Sequence, residues 1–166
     1  MNQKKEKLLN ILSENAQLTN EQLAVMIDAD TEFVKETKKE FEKEGIIKGY
    51  NTLINWEKFG KQTASAIIEL KVTPQRNTGF DEIAARIMEF PEVEFVYLMS
   101  GGFDLAVMVN ATTMADVAMF VAKRLAPIGG ILSTATHFVL TRYKDGGKVF
   151  ANDEEEIDER GSNLCD

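Results

Sequence analysis

Two short stretches of this chain hold residues whose types and spacing could do chemistry. The first is Ser100-Gly101-Gly102-Phe103-Asp104, set between two apolar runs. Adjacent glycines suit a two-residue hairpin turn in which glycine supplies positive φ. Such a turn frees backbone N–H groups with no side chains above them, and these can receive a carboxylate. Asp104 opens the next apolar run and could receive an ammonium group. Together the turn and Asp104 would match the two charged ends of a free α-amino acid. A plainer reading stands beside this one, in which Asp104 is a turn residue bonding its own backbone. Ser133, Thr134 and Thr136 could line the same pocket if their strand lies near the turn, across a subunit boundary. Threonine is also common in strands for propensity reasons alone.

The second stretch, TEFVKETKKEFEK, covers residues 31–43. Lys35, Lys38, Lys39 and Lys43 are cations able to meet phosphates. Glu32, Glu36, Glu40 and Glu42 balance them, so the segment nets zero. The same alternation marks an ordinary solvated helix face with ion pairs. Other chemistry finds no foothold. His137 is the single histidine, and the single cysteine, Cys165, is next to last. With no His/Cys cluster, no zinc site is expected. There is no G-x-x-x-x-G-K-[ST], no G-x-G-x-x-G and no nucleophile–base set. We therefore expect no catalytic residue, no metal and no cofactor.

The elements that must position these residues follow from periodicity. KLLNILSEN, LTNEQLAVMI and TEFVKETKKEFEKEG carry apolar residues at helical spacing, predicting three short helices. Thr19 with Gln22 is a capping-box pair. Val34, Thr37 and Phe41 line one face of the third helix, and Gly45 supplies its stop. IIKGYNTLINW, residues 46–56, reads as a strand leading outward. From Thr63 the period changes to two. Ala64, Ala66, Ile68, Leu70 and Val72 fall on one face of a half-buried strand. A helix over TGFDEIAARIMEF follows, with Thr78 and Asp81 resembling a capping box, and Pro91 ends it. EVEFVYLMS and FDLAVMVNA are two strands joined through Gly101-Gly102. Thr113 with Asp116 caps a second helix whose stripe is Val117, Phe120, Val121 and Leu125. ILSTATHFVLTRY is the last strand. The order strand–helix–strand–strand–helix–strand is the ferredoxin-like split βαβ arrangement. Strands 93–109 are apolar on both faces, with Leu105, Val107 and Val109 on one side and Ala106 and Met108 on the other. A sheet exposing that much apolar surface needs a cover, and the simplest is a second copy.

Composition agrees with a globular protein. The 166 residues are 44% hydrophobic and 28% charged. No apolar run is long enough for a membrane span. The N-terminus lacks the h-region of a secretory signal, and the lone cysteine fits a reducing cytoplasm. The net charge of −8 is uneven. Residues 144–166 hold eight acids against three bases. The acidic stretch 145–166 reads as a solvated, disordered tail.

Four of these stretches, taken in order, resemble the Lrp/AsnC family of transcriptional regulators. They are LTNEQLAVMI, FEKEGIIKGYNTLINWEKFG, FPEVEFVYLMSGGFDLAVMV and LSTATHFVL. The resemblance covers roughly residues 4–144. It implies an α+β protein with an N-terminal winged helix-turn-helix (1–50), a linker strand (51–62) and a C-terminal ferredoxin-like effector-binding domain, the RAM domain (63–144). It further implies a dimeric α+β barrel, octamers being frequent in the family. Its implied partners are double-stranded DNA and an amino acid effector. DNA contacts fall to Thr31, Lys35, Thr37, Lys38, Lys39, Lys43 and Lys48. Effector contacts fall to Ser100, Gly101, Gly102, Phe103, Asp104, Ser133, Thr134 and Thr136. The chain departs from the family along its recognition helix, where an apolar residue is usual at Lys38 and serine at Thr31. Thr37 stands where an arginine is common, and residues 1–60 contain no arginine. Arginine is the usual bidentate reader of guanine. The alternative is thus an amino acid sensor or assembly module whose helix-turn-helix binds DNA weakly or not at all.

Overall fold

Seven apolar side chains at helical spacing explain the first unit. Leu8 and Leu12, then Leu23, Ala24 and Ile27, then Val34 and Phe41 bury together. They come from α1 (Gln3–Glu14), α2 (Asn20–Ile27) and α3 (Thr31–Lys43). The computed structural model describes residues 3–74 and 79–150, which divide into two units between Leu53 and Ile54. The predicted capping box at Thr19 is formed. Thr19 Oγ1 accepts from the Gln22 amide at 3.3 Å, and Gln22 Oε1 accepts from the Thr19 amide at 2.9 Å. Asp28, with φ 53°, ends α2 in the left-handed region. Two residues later Asp30 caps α3, its Oδ1 accepting from Phe33 N at 2.6 Å. Gly45 has φ +69°, and the Ile46 and Ile47 amides turn back onto the Phe41 carbonyl.

The strand expected over 46–56, and with it the linker strand at 51–62, is not formed. No described residue from 44 to 63 lies in a strand. A strand needs a neighbour to take its backbone bonds, and none pairs with this segment. Between Asn55 and Lys61 its polar groups are satisfied locally instead. Asn55 Oδ1 accepts from Lys58 N at 2.9 Å, and the Phe59, Gly60 and Lys61 amides bond to Asn55, Glu57 and Trp56 carbonyls.

The second unit has the predicted order β1 (Ala64–Val72), α4 (Asp81–Met88), β2 (Val93–Leu98), β3 (Leu105–Ala111), α5 (Met114–Phe120) and β4 (Ile131–Phe138). The four strands form one antiparallel sheet in the order β2-β3-β1-β4. β1 is central, with Ile68 between Val107 and Thr136, and Leu70 between Leu105 and Thr134. One sheet face carries the even-numbered side chains of β1 with Leu105, Val107 and Val109. It buries them against Ile83 and Ile87 of α4 and Val117 and Phe120 of α5. α5 continues through a π-helical turn, Val121–Leu125, which still buries Val121 and Leu125. Thr113 and Asp116 form the second capping box. The one expected at α4, between Thr78 and Asp81, rests on a residue outside those described. Asp81 is the first helical residue, and Phe80 precedes it with no side-chain cap.

A small hairpin follows, β5 (Lys144–Asp145) with β6 (Lys148–Val149). Gly146 and Gly147 both have positive φ, 49° and 79°, as a two-residue turn of this hand requires. Residues 145–150 are therefore ordered structure, not the start of a disordered tail. Residues 151–166 lie outside those described. Among the described residues no helix is long and apolar enough to cross a membrane.

The Thr113 cap offers a direct check on the α5 start. Thr113→Ala should lower unfolding free energy by about 1 kcal/mol, with Thr113→Ser recovering most of it. Chemical denaturation of the full chain measures both.

Candidate functional site

The glycine pair at 101–102 does not make the turn its sequence suggests. Leu98 and Leu105 are the last paired residues of β2 and β3, so the connection is the six-residue loop Met99–Asp104. Neither Gly101 nor Gly102 has positive φ. A Cβ added at either would meet nothing within 4 Å. The longer loop removes the steric need that a two-residue turn imposes. Glycine here leaves the backbone bare rather than supplying a left-handed conformation. Among the described residues, the amides of Ser100, Gly101, Gly102 and Phe103 have no hydrogen-bond acceptor. Ser100, Gly101 and Gly102 are exposed, and Phe103 is half-buried.

Asp104 is fixed from two sides. Its backbone N–H donates to the Leu70 carbonyl at 2.9 Å, and its carbonyl accepts from Met99 N at 2.8 Å. Its Oδ2 accepts from the Val72 amide at 2.9 Å. The side chain therefore bonds the end of β1 and not its own turn, which overturns the plainer reading. Oδ1 has no partner among the described residues. A half-buried carboxylate with one free oxygen thus stands beside four unpaired amides.

The three hydroxyls of β4 separate. Thr134 and Thr136 oppose Leu70 and Ile68, on the face toward the helices. Ser133 opposes Lys71, on the open face. Alternation along a strand prevents one chain from lining a single pocket with all three. Thr134 does lie at the loop's end of the sheet. It is across β1 from Leu105, two strand spacings or about 10 Å away.

The open face holds groups that sequence reasoning missed. Phe95 and Tyr97 stack with centroids 4.4 Å apart. Met108 and Ile67 stand in register with Phe95. At the other end a polar belt crosses the sheet. Asn110 Nδ2 donates to Glu94 at 2.6 Å, Ser65 Oγ donates to Asn110 Oδ1 at 2.6 Å, and Arg142 reaches Ser65 at 3.4 Å. Polar residues on the solvent-side period of three strands were legible. Their alignment depended on register and was not.

The seven cationic and hydroxyl candidates, six on α3 and Lys48 beyond it, also separate. Thr37 is 2% exposed and packs with the core, so it cannot reach DNA. Its place on the Val34–Phe41 face already implied as much. Lys38 is half-buried, 3.4 Å from Asn20 Oδ1 and over the Tyr50 ring at 5.7 Å. Tyr50 in turn donates to Glu42 at 3.0 Å. Burial pushes its phenol pKa up, and the Glu42 hydrogen bond and charge add to that. Lys35 pairs with Glu32 at 3.7 Å. Lys39, Lys43 and Lys48 are exposed, and Thr31 is half-buried at the helix start.

A fold of this kind is shared with known proteins. Residues 65–149 match the Lrp/AsnC ligand binding domain. Over 151 residues the chain is 44% identical to YugG, an uncharacterised HTH-type transcriptional regulator of Bacillus subtilis (strain 168), covering 90% of this chain and 91% of that one. The fold is shared with the leucine response regulatory protein LrpA of Mycobacterium tuberculosis (TM-score 0.75, 20% identity, 89% of this chain and 98% of that one). It is shared too with a Neisseria meningitidis transcriptional regulator solved with L-Met (TM-score 0.70, 22% identity, 95% and 99%). The chain belongs to the Lrp/AsnC family of transcriptional regulators.

Three substitutions separate geometry from sequence expectation. Gly101→Ala should change stability by no more than about 0.5 kcal/mol, since neither φ nor space opposes it. Asp104→Ala should cost about 1–3 kcal/mol by leaving the buried Val72 amide without its acceptor. Asp104→Asn, which keeps an oxygen, should cost less. Urea unfolding curves of the three variants decide this.

Proposed function

We propose that this protein regulates transcription by binding DNA through its helical unit and a free amino acid through the loop Ser100–Asp104. The observation that carries the effector reading is the pairing of unsatisfied amides with a half-satisfied carboxylate. The amides suit the ligand carboxylate, and Asp104 Oδ1 suits the ammonium group. Thr134 lies near enough to contribute from the same sheet end, and Ser133, on the open face, is placed to enter from a second subunit. The relative solved with L-Met supports this ligand class.

The assembly we propose is a homodimer in which two open sheet faces close into an α+β barrel. Exposed Tyr97, half-exposed Ile67 and the Phe95–Tyr97 stack support it, because such a face is rarely left to water. In the helical unit, α2, the turn 28–30 and α3 act as the helix-turn-helix, with Lys35, Lys39, Lys43 and Lys48 toward phosphates. The balance of Lys and Glu on α3, and the burial of Thr37, favour a second reading in which the helical unit binds DNA weakly and the protein acts as a sensor.

Thermal-shift screening of the full chain against the twenty amino acids tests the effector site. At least one should raise Tm. Asp104→Asn should keep the ligand-free Tm near wild type and weaken that ligand about ten- to a hundredfold, the worth of one charge-assisted hydrogen bond. Gly101→Val should also leave the ligand-free Tm in place while covering the amides and reducing the shift. No response to any amino acid, or equal affinity in the variants, would place the effector elsewhere. Sedimentation at micromolar concentration should give a dimer, and Tyr97→Glu should favour the monomer. A wild-type monomer would contradict the barrel.

A further inference from the structure

The outward face of α3 is not a uniform basic surface. Val34, Thr37 and Phe41 point into the helical core. At 100° per residue the opposite stripe is Glu32, Glu36, Lys39 and Lys43, spaced i, i+4, i+7 and i+11. All four are exposed. The stripe is thus acidic in its N-terminal half and basic in its C-terminal half. Two neighbouring charges are already engaged. Glu32 pairs with Lys35 at 3.7 Å, and Glu40 pairs with Lys5 at 2.5 Å. Among the described residues Glu36 has no ion-pair or hydrogen-bond partner.

A carboxylate against phosphate is repelled, and DNA affinity rests largely on cations meeting phosphates. A carboxylate on the reading face of a DNA-binding helix is therefore costly everywhere except at a base edge that donates to it. In the major groove the cytosine N4 amino group is such a donor. Guanine offers only acceptors, and thymine offers an acceptor and a methyl group. Adenine sets its N7 acceptor beside its donor, which suits an amide and repels a carboxylate. The N-terminal part of a recognition helix approaches base edges. On α3 that part holds Glu36, and Lys39 and Lys43 lie one and two turns further on, where they can take phosphates.

We infer that Glu36 is a specificity-determining residue that selects cytosine in the operator and rejects the other three bases at that position. This rests on α3 being the DNA-reading helix. It explains how an arginine-free helix with no net charge can still read sequence. It also makes non-specific affinity low, because the same carboxylate repels DNA lacking the matching base.

The test is selection from a randomised duplex library by the full-length protein at low salt, run for wild type, Glu36→Gln and Glu36→Ala. Tm values should agree among the three, since the position is exposed. Wild type should enrich sites with cytosine at one position of each half-site. Glu36→Gln should lose that preference by about fivefold or more and move toward adenine, which a glutamine amide can meet on both N6 and N7. Glu36→Ala should lose it without gaining another. Tighter binding of all sequences by both variants, with base preferences unchanged, would overturn the inference and leave Glu36 a solvated charge on a helix that does read DNA. If wild type enriches no sequence at low salt, the failure lies with α3 as a DNA-reading helix, and the inference falls with it.

Discussion

The strand Ala64–Val72 is hydrogen-bonded along both edges, to β3 on one side and β4 on the other. A central strand of this kind transmits its register to everything beside it. A slip of one residue would turn Ala66, Ile68 and Leu70 out of the core and expose them. Asp104 closes the end of that arrangement, taking the Leu70 carbonyl with its backbone and the Val72 amide with its side chain. The loop before it is thereby held at a defined height above the sheet end. It does not need a tight turn of its own, and its amides remain available. In the proposed binding mode one residue serves both ends, Oδ2 holding the Val72 amide and Oδ1 facing the ligand.

In the helical unit the governing limit is size. Three short helices bury seven apolar side chains with little to spare, so Thr37 is drafted into the core. Lys38 is partly drawn in as well, against Asn20 and Tyr50. The charges left for a partner are those of the opposite stripe, where two acids are followed by two bases. Any DNA recognition by this unit depends on position more than on total charge.

Much of this was legible without coordinates. The change from helical to two-residue period at Thr63 placed β1, and the Thr-x-x-Gln and Thr-x-x-Asp pairs placed two helix starts, because those signals act within a few residues. The errors share a different origin. Gly101-Gly102 looks like a hairpin turn until the pairing of Leu98 with Leu105 sets the loop at six residues. Gly146-Gly147, which does form such a turn, was hidden by the acidic composition around it. Residues 46–56 have strand-like composition and no strand to pair with. Thr37 appeared as both a core residue and a DNA contact, and its burial decides for the core, as its place on the Val34–Phe41 face implied. The belt from Glu94 to Arg142 depends on register across three strands and on the segment after β4, which no local pattern carries.

The central claim is that a free amino acid and DNA are linked through one chain. Its most direct test is capture of sheared genomic DNA by the full-length protein across a salt series, with and without a mixture of the twenty amino acids. Discrete fragments should be enriched at low salt and lost steeply as salt rises, as phosphate contacts require. The amino acids should change the salt at which those fragments release. Enrichment of no fragment at any salt, or identical release with and without amino acids, would contradict the account.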